Sequence, residues 1–319
     1  MKRLLLLLLA CAGLWLAACS SSINASSTSL ADRLIAPGGV STLLDRPRIA
    51  AAIAELPNRH GFAPGRDGVP IFWRVFDPGD YGARYHYLPQ RHENGLPLDT
   101  GLSLAVPQPF RAQAPRGTVV DVIGELRARG EVTGPLYLFG VSYGAATAVF
   151  TADKLGDQVE GVVAMESFAN AGVAIRTMIP HLMGLQPEGL KAQAMASYAR
   201  WRYGGQDINQ VIAAASRRID VDLDRVDVAR ALADTRACVL LLHGQGDQHI
   251  PVSQGRELAQ ANPRAHYIEM RGEDHITLPL RLDLLAGVVD DWMARDEHHP
   301  QSACPAPQLP AQAEWLARS

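Results

Sequence analysis

The sequence carries no surplus of either charge: 30 Lys and Arg stand against 33 Asp and Glu, for a formal net charge of −3 and a pI near 6.4. Without a basic field, a nucleic-acid partner has no electrostatic support. The signature of disorder is missing too, since 47% of the 319 residues are apolar and 20% charged, enough to build a large packed core. No apolar run reaches the roughly 20 residues that a membrane-spanning helix needs; the most apolar stretch starts at Leu4 and stops at Ser20, Ser21 and Ser22. Metal-ligand spacing is absent as well: His298 and His299 are adjacent but have no accompanying ligands, so no metal and no cofactor is expected. Cysteine is sparse, with four residues in all.

What the N-terminus does contain is an address. Lys2 and Arg3 precede Leu4 to Leu9 and a continuation through Leu14, Trp15 and Leu16, the charge and apolar layout of a secretory signal peptide. Leu16-Ala17-Ala18-Cys19 resembles the lipobox of bacterial lipoproteins. That resemblance implies removal of 1–18 and acylation of Cys19, and with Ser20 next, an outer-membrane anchor facing the periplasm. An ordinary cleaved signal with a free product is the other reading. Cys11 would leave with the signal, so Cys238 and Cys304 remain for an oxidising compartment, as a disulfide or as two thiols.

Residues 19–44 read as a lipidated Ser-rich tether, 45–169 with 234–297 as one α/β core, 170–233 as a helical cap, and 298–319 as a Pro-rich, solvated tail. Ile49, Ile53 and Leu56 predict a short helix after Asp45. Val69 to Phe76 and Ala83 to Leu88, set off by turn signals, predict an antiparallel pair. Leu136 to Phe139, Gly161 to Met165, Cys238 to Leu242 and Tyr267 to Met270 are apolar runs, and helical patterns lie between them. That alternation predicts a mostly parallel sheet with helices on both faces. In the cap, Met178, Met183, Met195, Trp201 and Tyr203 are expected to pack between helices rather than line an acyl pocket.

Gly140-Val141-Ser142-Tyr143-Gly144 matches G-x-S-x-G, directly after a strand and before the small-residue run from Ala145. A turn this tight needs close approach at its glycines, and it leaves the Ser142 hydroxyl clear of the sheet edge with the Tyr143 amide at a helix N-terminus. A serine nucleophile needs a base, and the base needs a carboxylate. Asp247 follows the strand from Cys238 and His275 follows the strand from Tyr267, so all three side chains fall at one rim. Glu166, just past its own strand, is a rival acid. His243 and His249 are expected to hydrogen-bond near Asp247, and His266 to face the opposite end.

Ser142, Asp247 and His275, together with Gly140, Gly144 and the run His243-Gly244-Gln245-Gly246-Asp247, resemble the α/β-hydrolase superfamily, in its branch of esterases, monoacylglycerol lipases and serine aminopeptidase-like enzymes. The resemblance covers roughly residues 67–294. It implies an acyl-enzyme mechanism without cofactor on a small acyl or lipid-like substrate. A peptidase or acyltransferase, or an impaired envelope lipoprotein that only binds, are the alternatives. In the superfamily a strand ending in His-Gly precedes the nucleophile and its loop donates a second oxyanion amide. Here Gly117-Thr118-Val119-Val120 starts like that strand, but the stretch from there to Leu136 has room for one helix only. The chain therefore reads one strand-helix unit short, with Asp121 or a neighbour left to supply the second amide. His60-Gly61, the only His-Gly before Ser142, follows a helical pattern and reads as a loop.

Overall fold

The computed structural model describes residues 30–31, 60–64, 70–74, 119–130, 132–134, 136–186, 189–296, 304–309 and 315–317. It begins with an antiparallel pair, β1 (His60–Pro64) and β2 (Pro70–Arg74), and a helix, α1 (Val119–Ala128). The chain then alternates: β3 (Tyr137–Val141), α2 (Tyr143–Leu155) and β4 (Gly161–Met165). Four helices follow, α3 (Ala171–Gly184), α4 (Leu190–Tyr203), α5 (Ile208–Ile219) and α6 (Val228–Asp234). The alternation resumes with β5 (Cys238–Gly244), α7 (Val252–Ala261), β6 (His266–Met270) and α8 (Leu282–Asp296), and β7 (Trp315–Ala317) closes the order. Strands β3 to β6 are parallel neighbours in chain order, and β7 joins antiparallel to β6.

The apolar runs of β4 and β5 are buried along their whole length because both faces of the sheet are covered, and the period of two sorts them. Val162, Ala164, Val239 and Leu241 point into one core with Ala145, Ala146 and Val149 of α2, Ile175 of α3, Ile212 of α5, Leu232 of α6 and Leu258 of α7. Val163, Met165, Leu240 and Leu242 point into the other, against Leu285, Val289, Trp292 and Met293 of α8. The run of alanines on α2 lets that helix approach the sheet closely, and this sets the height at which Ser142 leaves β3.

Between β4 and β5 the described residues form helices α3 to α6. Asn170 caps α3 through the Val173 N–H (3.1 Å), Asp207 caps α5, and Asp227 caps α6 through the Arg230 N–H (2.9 Å). The two ends of this segment return side by side: the Ala171 N–H donates to the Val226 carbonyl and the Val228 N–H to the Ala169 carbonyl. The segment is therefore tied together at its ends, and its helices α3, α5 and α6 share the first core with α2 and α7. Its side chains depart from the expectation in one respect: Tyr203 is buried and Met183 packs on the core, but Trp201 is 78% exposed beside Tyr198.

Other expectations are corrected. His60-Gly61 opens β1 instead of a loop, and it is this segment that pairs with Pro70–Arg74; Ala83 to Leu88, and the helix after Asp45, lie outside the described residues. Val119 and Val120 are helical, so they contribute no strand beside β3, which is the edge of the sheet among the described residues. Leu30 and Ala31, inside the expected tether, are helical and buried in the first core. The tail is docked where it is described. Trp292 donates its indole N–H to the Pro305 carbonyl (2.8 Å), Leu309 packs on the second core, and β7 extends the sheet. Cys19 and the apolar run before it lie outside the described residues, and no described helix is long and apolar enough to cross a membrane.

Cys238 and Cys304 are joined in a disulfide, their Cα atoms 5.3 Å apart, which settles the alternatives left open by sequence. The bond closes a loop between positions 66 apart in sequence, a constraint worth about 4 kcal/mol through the entropy of the unfolded chain. Thermal unfolding with and without reductant checks this: the midpoint is expected to drop on reduction, and the Cys304→Ser variant is expected to show no further response to reductant.

Candidate active site

Ser142 sits between β3 and α2 with φ 55° and ψ −119°, a left-handed backbone in a non-glycine residue. Such a conformation costs about 1–3 kcal/mol and persists only where its surroundings fix it. Here the Ser142 N–H donates to the Met165 carbonyl of β4 (2.8 Å), and the Ser142 carbonyl accepts from the Ala145 N–H (3.0 Å). Gly140 makes the turn possible: a Cβ there would lie 2.1 Å from the carbonyl oxygen of Gly144. Gly144 itself differs from expectation, since a Cβ on it would meet nothing within 4 Å. Gly140→Ala is therefore expected to cost several kcal/mol or displace the elbow. Gly144→Ala is expected to leave stability unchanged or raise it by up to about 1 kcal/mol, since alanine favours the helix; paired unfolding curves distinguish them.

The Ser142 hydroxyl lies 3.1 Å from Nε2 of His275, and Nδ1 of His275 lies 2.7 Å from Oδ2 of Asp247. With the proton on Nδ1, His275 donates to the carboxylate and presents Nε2 as acceptor to the hydroxyl. Each partner is fixed by its own loop. After β5, Oδ1 of Asp247 accepts from the N–H groups of His249 and Ile250, both at 2.8 Å. After β6, Oδ1 of Asp274 accepts from the Ile276 and Thr277 N–H groups (2.9 Å each), and Arg281 pairs with Glu273. These bonds hold the loop on either side of His275.

The electrostatics favour an ionised Asp247. Burial pushes its carboxyl up, but the hydrogen bonds from His243 and His275 and the Ile250 amide outweigh burial and hold it well below the ordinary carboxylate range. His243 is buried, its Nε2–H donating to the Ile250 carbonyl (2.8 Å) with Asp247 at 3.5 Å, so it braces the acid as expected. His266 hydrogen-bonds to the Cys304 carbonyl at the other end of the sheet, also as expected. Sequence gave no sign of two further contacts: the His249 ring stacks on His275 (centroids 5.2 Å apart), and His181 of α3 stands edge-on to His249 (4.9 Å). Burial lowers the His249 pKa, as do the charges His275 and His181 would carry, so its neutral form is favoured. A row of three imidazoles thus connects the cap to the centre of the site.

Glu166, the rival acid, is also present. Its carboxyl lies 3.7 Å from Nδ1 of His275, so Asp247 is the closer partner by a full ångström. Among the described residues, Glu166, Asp247 and His275 are the one group whose potential ligand atoms lie within 4.8 Å of one another. Two of those atoms are hydrogen-bonded at 2.7 Å, closer than the roughly 3.3 Å that separates two ligands on a tetrahedral zinc with bonds of about 2 Å.

The oxyanion expectations divide. Tyr143 is the first residue of α2, so its N–H belongs to the helix turn that has no intrahelical acceptors. Its ring is partly buried edge-on to Phe168, with the phenol pKa raised to about 12 by desolvation. Asp121 does not fit. It lies in the first turn of α1, within electrostatic reach of Lys154 at the far end of α2. Lys154 is roughly 18 Å along the helix from Ser142 at 1.5 Å per residue. The reason is the helical start at Val119, which places Asp121 in the first turn of a helix packed on α2 instead of in a strand-end loop.

A parallel sheet with a serine on a strand-turn-helix elbow, a carboxylate after the next strand but one, and a histidine after the strand beyond it is the α/β-hydrolase fold. No protein-family model and no curated protein sequence matches the chain. Among solved structures, the enol-lactonase from Burkholderia xenovorans LB400 is similar to it at 23% identity over 55% of this chain and 70% of that one, with a TM-score of 0.35. A thermophilic esterase from Thermogutta terrifontis is similar at 19% identity over the same shares, with a TM-score of 0.36. An alpha/beta fold family hydrolase from Bacillus anthracis str. Sterne is similar at 13% identity over 54% and 72%, with a TM-score of 0.39.

Proposed function

We propose that this protein is a serine hydrolase that cleaves carboxylic esters of small acyl or lipid-like substrates through an acyl-enzyme. The observation that carries the proposal is the unbroken relay from the Ser142 hydroxyl through His275 to Asp247, at 3.1 and 2.7 Å. In the reaction, Ser142 Oγ bonds to the ester carbonyl carbon as its proton passes to Nε2 of His275. The carbonyl oxygen becomes an anion at the N-terminus of α2, near the Tyr143 N–H. The tetrahedral adduct then collapses, and the C–O bond to the leaving group breaks as His275 returns the proton to the departing alcohol. Water, deprotonated by His275, hydrolyses the acyl-serine in the same way, and Asp247 stabilises the imidazolium in both halves. Exposed apolar side chains next in sequence to the site histidines, Ile276 after His275 and Leu182 after His181, support an acyl substrate.

A panel of p-nitrophenyl esters against aminoacyl-naphthylamides tests the chemistry. Preferential turnover of the amides would assign a peptidase instead. An impaired, binding-only protein is the second reading, supported by the helical placement of Asp121; losing one oxyanion donor costs about 100- to 1,000-fold in turnover. Failure of the folded protein to react with a fluorophosphonate decides for that reading. For location, we propose a periplasm-facing lipoprotein anchored through Cys19. The Cys238–Cys304 disulfide supports an oxidising compartment, and loss of palmitate incorporation in Cys19→Ala tests the anchor.

A further inference from the structure

Glu166 is a buried group that the relay leaves unused. It sits at the end of β4 with no solvent exposure and a left-handed backbone (φ 54°), and its N–H is tied to the Leu242 carbonyl of β5 (2.7 Å). Neither of its carboxyl oxygens makes a hydrogen bond of ordinary geometry among the described residues, although the Gly244 amide acts on it. An unsatisfied carboxyl in such a place is destabilising, as is the backbone strain beneath it. Both are spent at one location: 3.7 Å from the ring nitrogen that Asp247 holds.

We propose that Glu166 is a positioning residue of this site, a second carboxyl behind His275 that shares a single negative charge with Asp247 and can orient the imidazole through Nδ1 in its place. The inference rests on the hydrolase reading above and adds a residue to it. Two carboxylates this close to each other and to one imidazole cannot both ionise readily while the imidazole is neutral. The groups facing Glu166 are mostly acidic. Asp247 comes from the loop after β5, with His243 behind it; Glu273 and Asp274 come from the loop after β6, which also carries His275. Arg281 answers Glu273, and the Gly244 amide is a weak pull in the other direction. Burial first, and then these anions, raise the Glu166 pKa to about 9, so at neutral pH the proton rests on Glu166 and the charge on Asp247. When Asp247 is absent, its repulsion disappears, Glu166 ionises more easily, and a small shift brings it onto Nδ1.

The test is the rate of fluorophosphonate labelling at Ser142, followed against pH in the full-length protein and in Asp247→Asn, Glu166→Gln and the double variant. Replacing the acid by its amide is expected to cost about 10⁴-fold where no other carboxylate can select the imidazole tautomer. Here Asp247→Asn is expected to lose only about 100-fold, with the remaining rate rising with pH as Glu166 ionises. Adding Glu166→Gln should remove at least a further tenfold and flatten that rise. In the otherwise unaltered protein, Glu166→Gln is expected to abolish a rate inflection near pH 9. A double variant that labels as fast as Asp247→Asn, with the same pH profile, would overturn the inference, and so would a Glu166→Gln profile of unchanged shape. Should the unaltered protein fail to label at all, it is the hydrolase reading that fails. The two failures are thus separable, and a melting curve on each variant excludes loss of fold as the cause.

Discussion

Ser142→Ala is expected to lower kcat for an ester substrate by about 10⁶-fold, because the hydroxyl, the imidazole and the carboxylate act as a unit and removing the nucleophile forfeits the contribution of all three. Measured KM should move little, since the hydroxyl contributes to bond making and not to holding the acyl chain. Stability separates this residue's chemical role from its structural one. Alanine at 142 keeps the positive φ of 55° and its strain, so its unfolding midpoint should match that of the unaltered protein. Glycine at the same position removes the Cβ that makes this conformation costly and is expected to raise stability by about 1 kcal/mol while being equally inactive. A protein that gains stability as it loses its reaction locates the strain at the site itself. Equal stability of the alanine and glycine variants would show that the elbow is unstrained. Residual turnover in Ser142→Ala above about one part in a thousand would assign the reaction to another nucleophile.

The parts of this molecule that were legible in its sequence are those written in local pattern. Unbroken apolar runs such as Gly161–Met165 can be buried on both faces only in a covered parallel sheet, and the observed strand keeps those bounds. Strand ends fixed the heights of Ser142, Asp247 and His275, and because parallel strands present their C-terminal ends on one side, the three side chains converge without any long-range information. What was not legible depended on tertiary choices. The helical spacing of Val122, Ile123 and Leu126 was legible, but Val119 and Val120 are β-branched and read as a strand, whereas burying that stripe draws them into the first turn of α1. Asp121 followed the helix and left the site. His60-Gly61 offers no apolar alternation, so its strand is a product of pairing with Pro70–Arg74 and not of propensity. The tail read as solvated because its prolines forbid regular structure. A disulfide, an indole hydrogen bond and a three-residue strand nonetheless dock it. The edge-on contact of His181 with His249 joins α3 to the loop after β5, and no spacing between positions 181 and 249 encodes that.

Among the described residues, Glu166 carries the largest expected pH dependence of stability. In the unfolded chain its carboxyl titrates near 4.5; in the folded protein burial and the neighbouring Asp247 raise that to about 9. Between those values the unfolded state has lost a proton that the folded state keeps, so the unfolded state binds fewer protons and stability falls as pH rises, by up to about 1.4 kcal/mol per pH unit. Glutamine has the size of the protonated acid and no charge to bury, so Glu166→Gln should be free of this slope. The difference in unfolding free energy between the variant and the unaltered protein is therefore expected to grow in the variant's favour by as much as about 4 kcal/mol from pH 5 to pH 8. Subtracting the two curves cancels the groups that are not coupled to Glu166. If the curves from chemical denaturation run parallel across that range, Glu166 is ionised in the folded protein, and two carboxylates then face one imidazole with no proton between them.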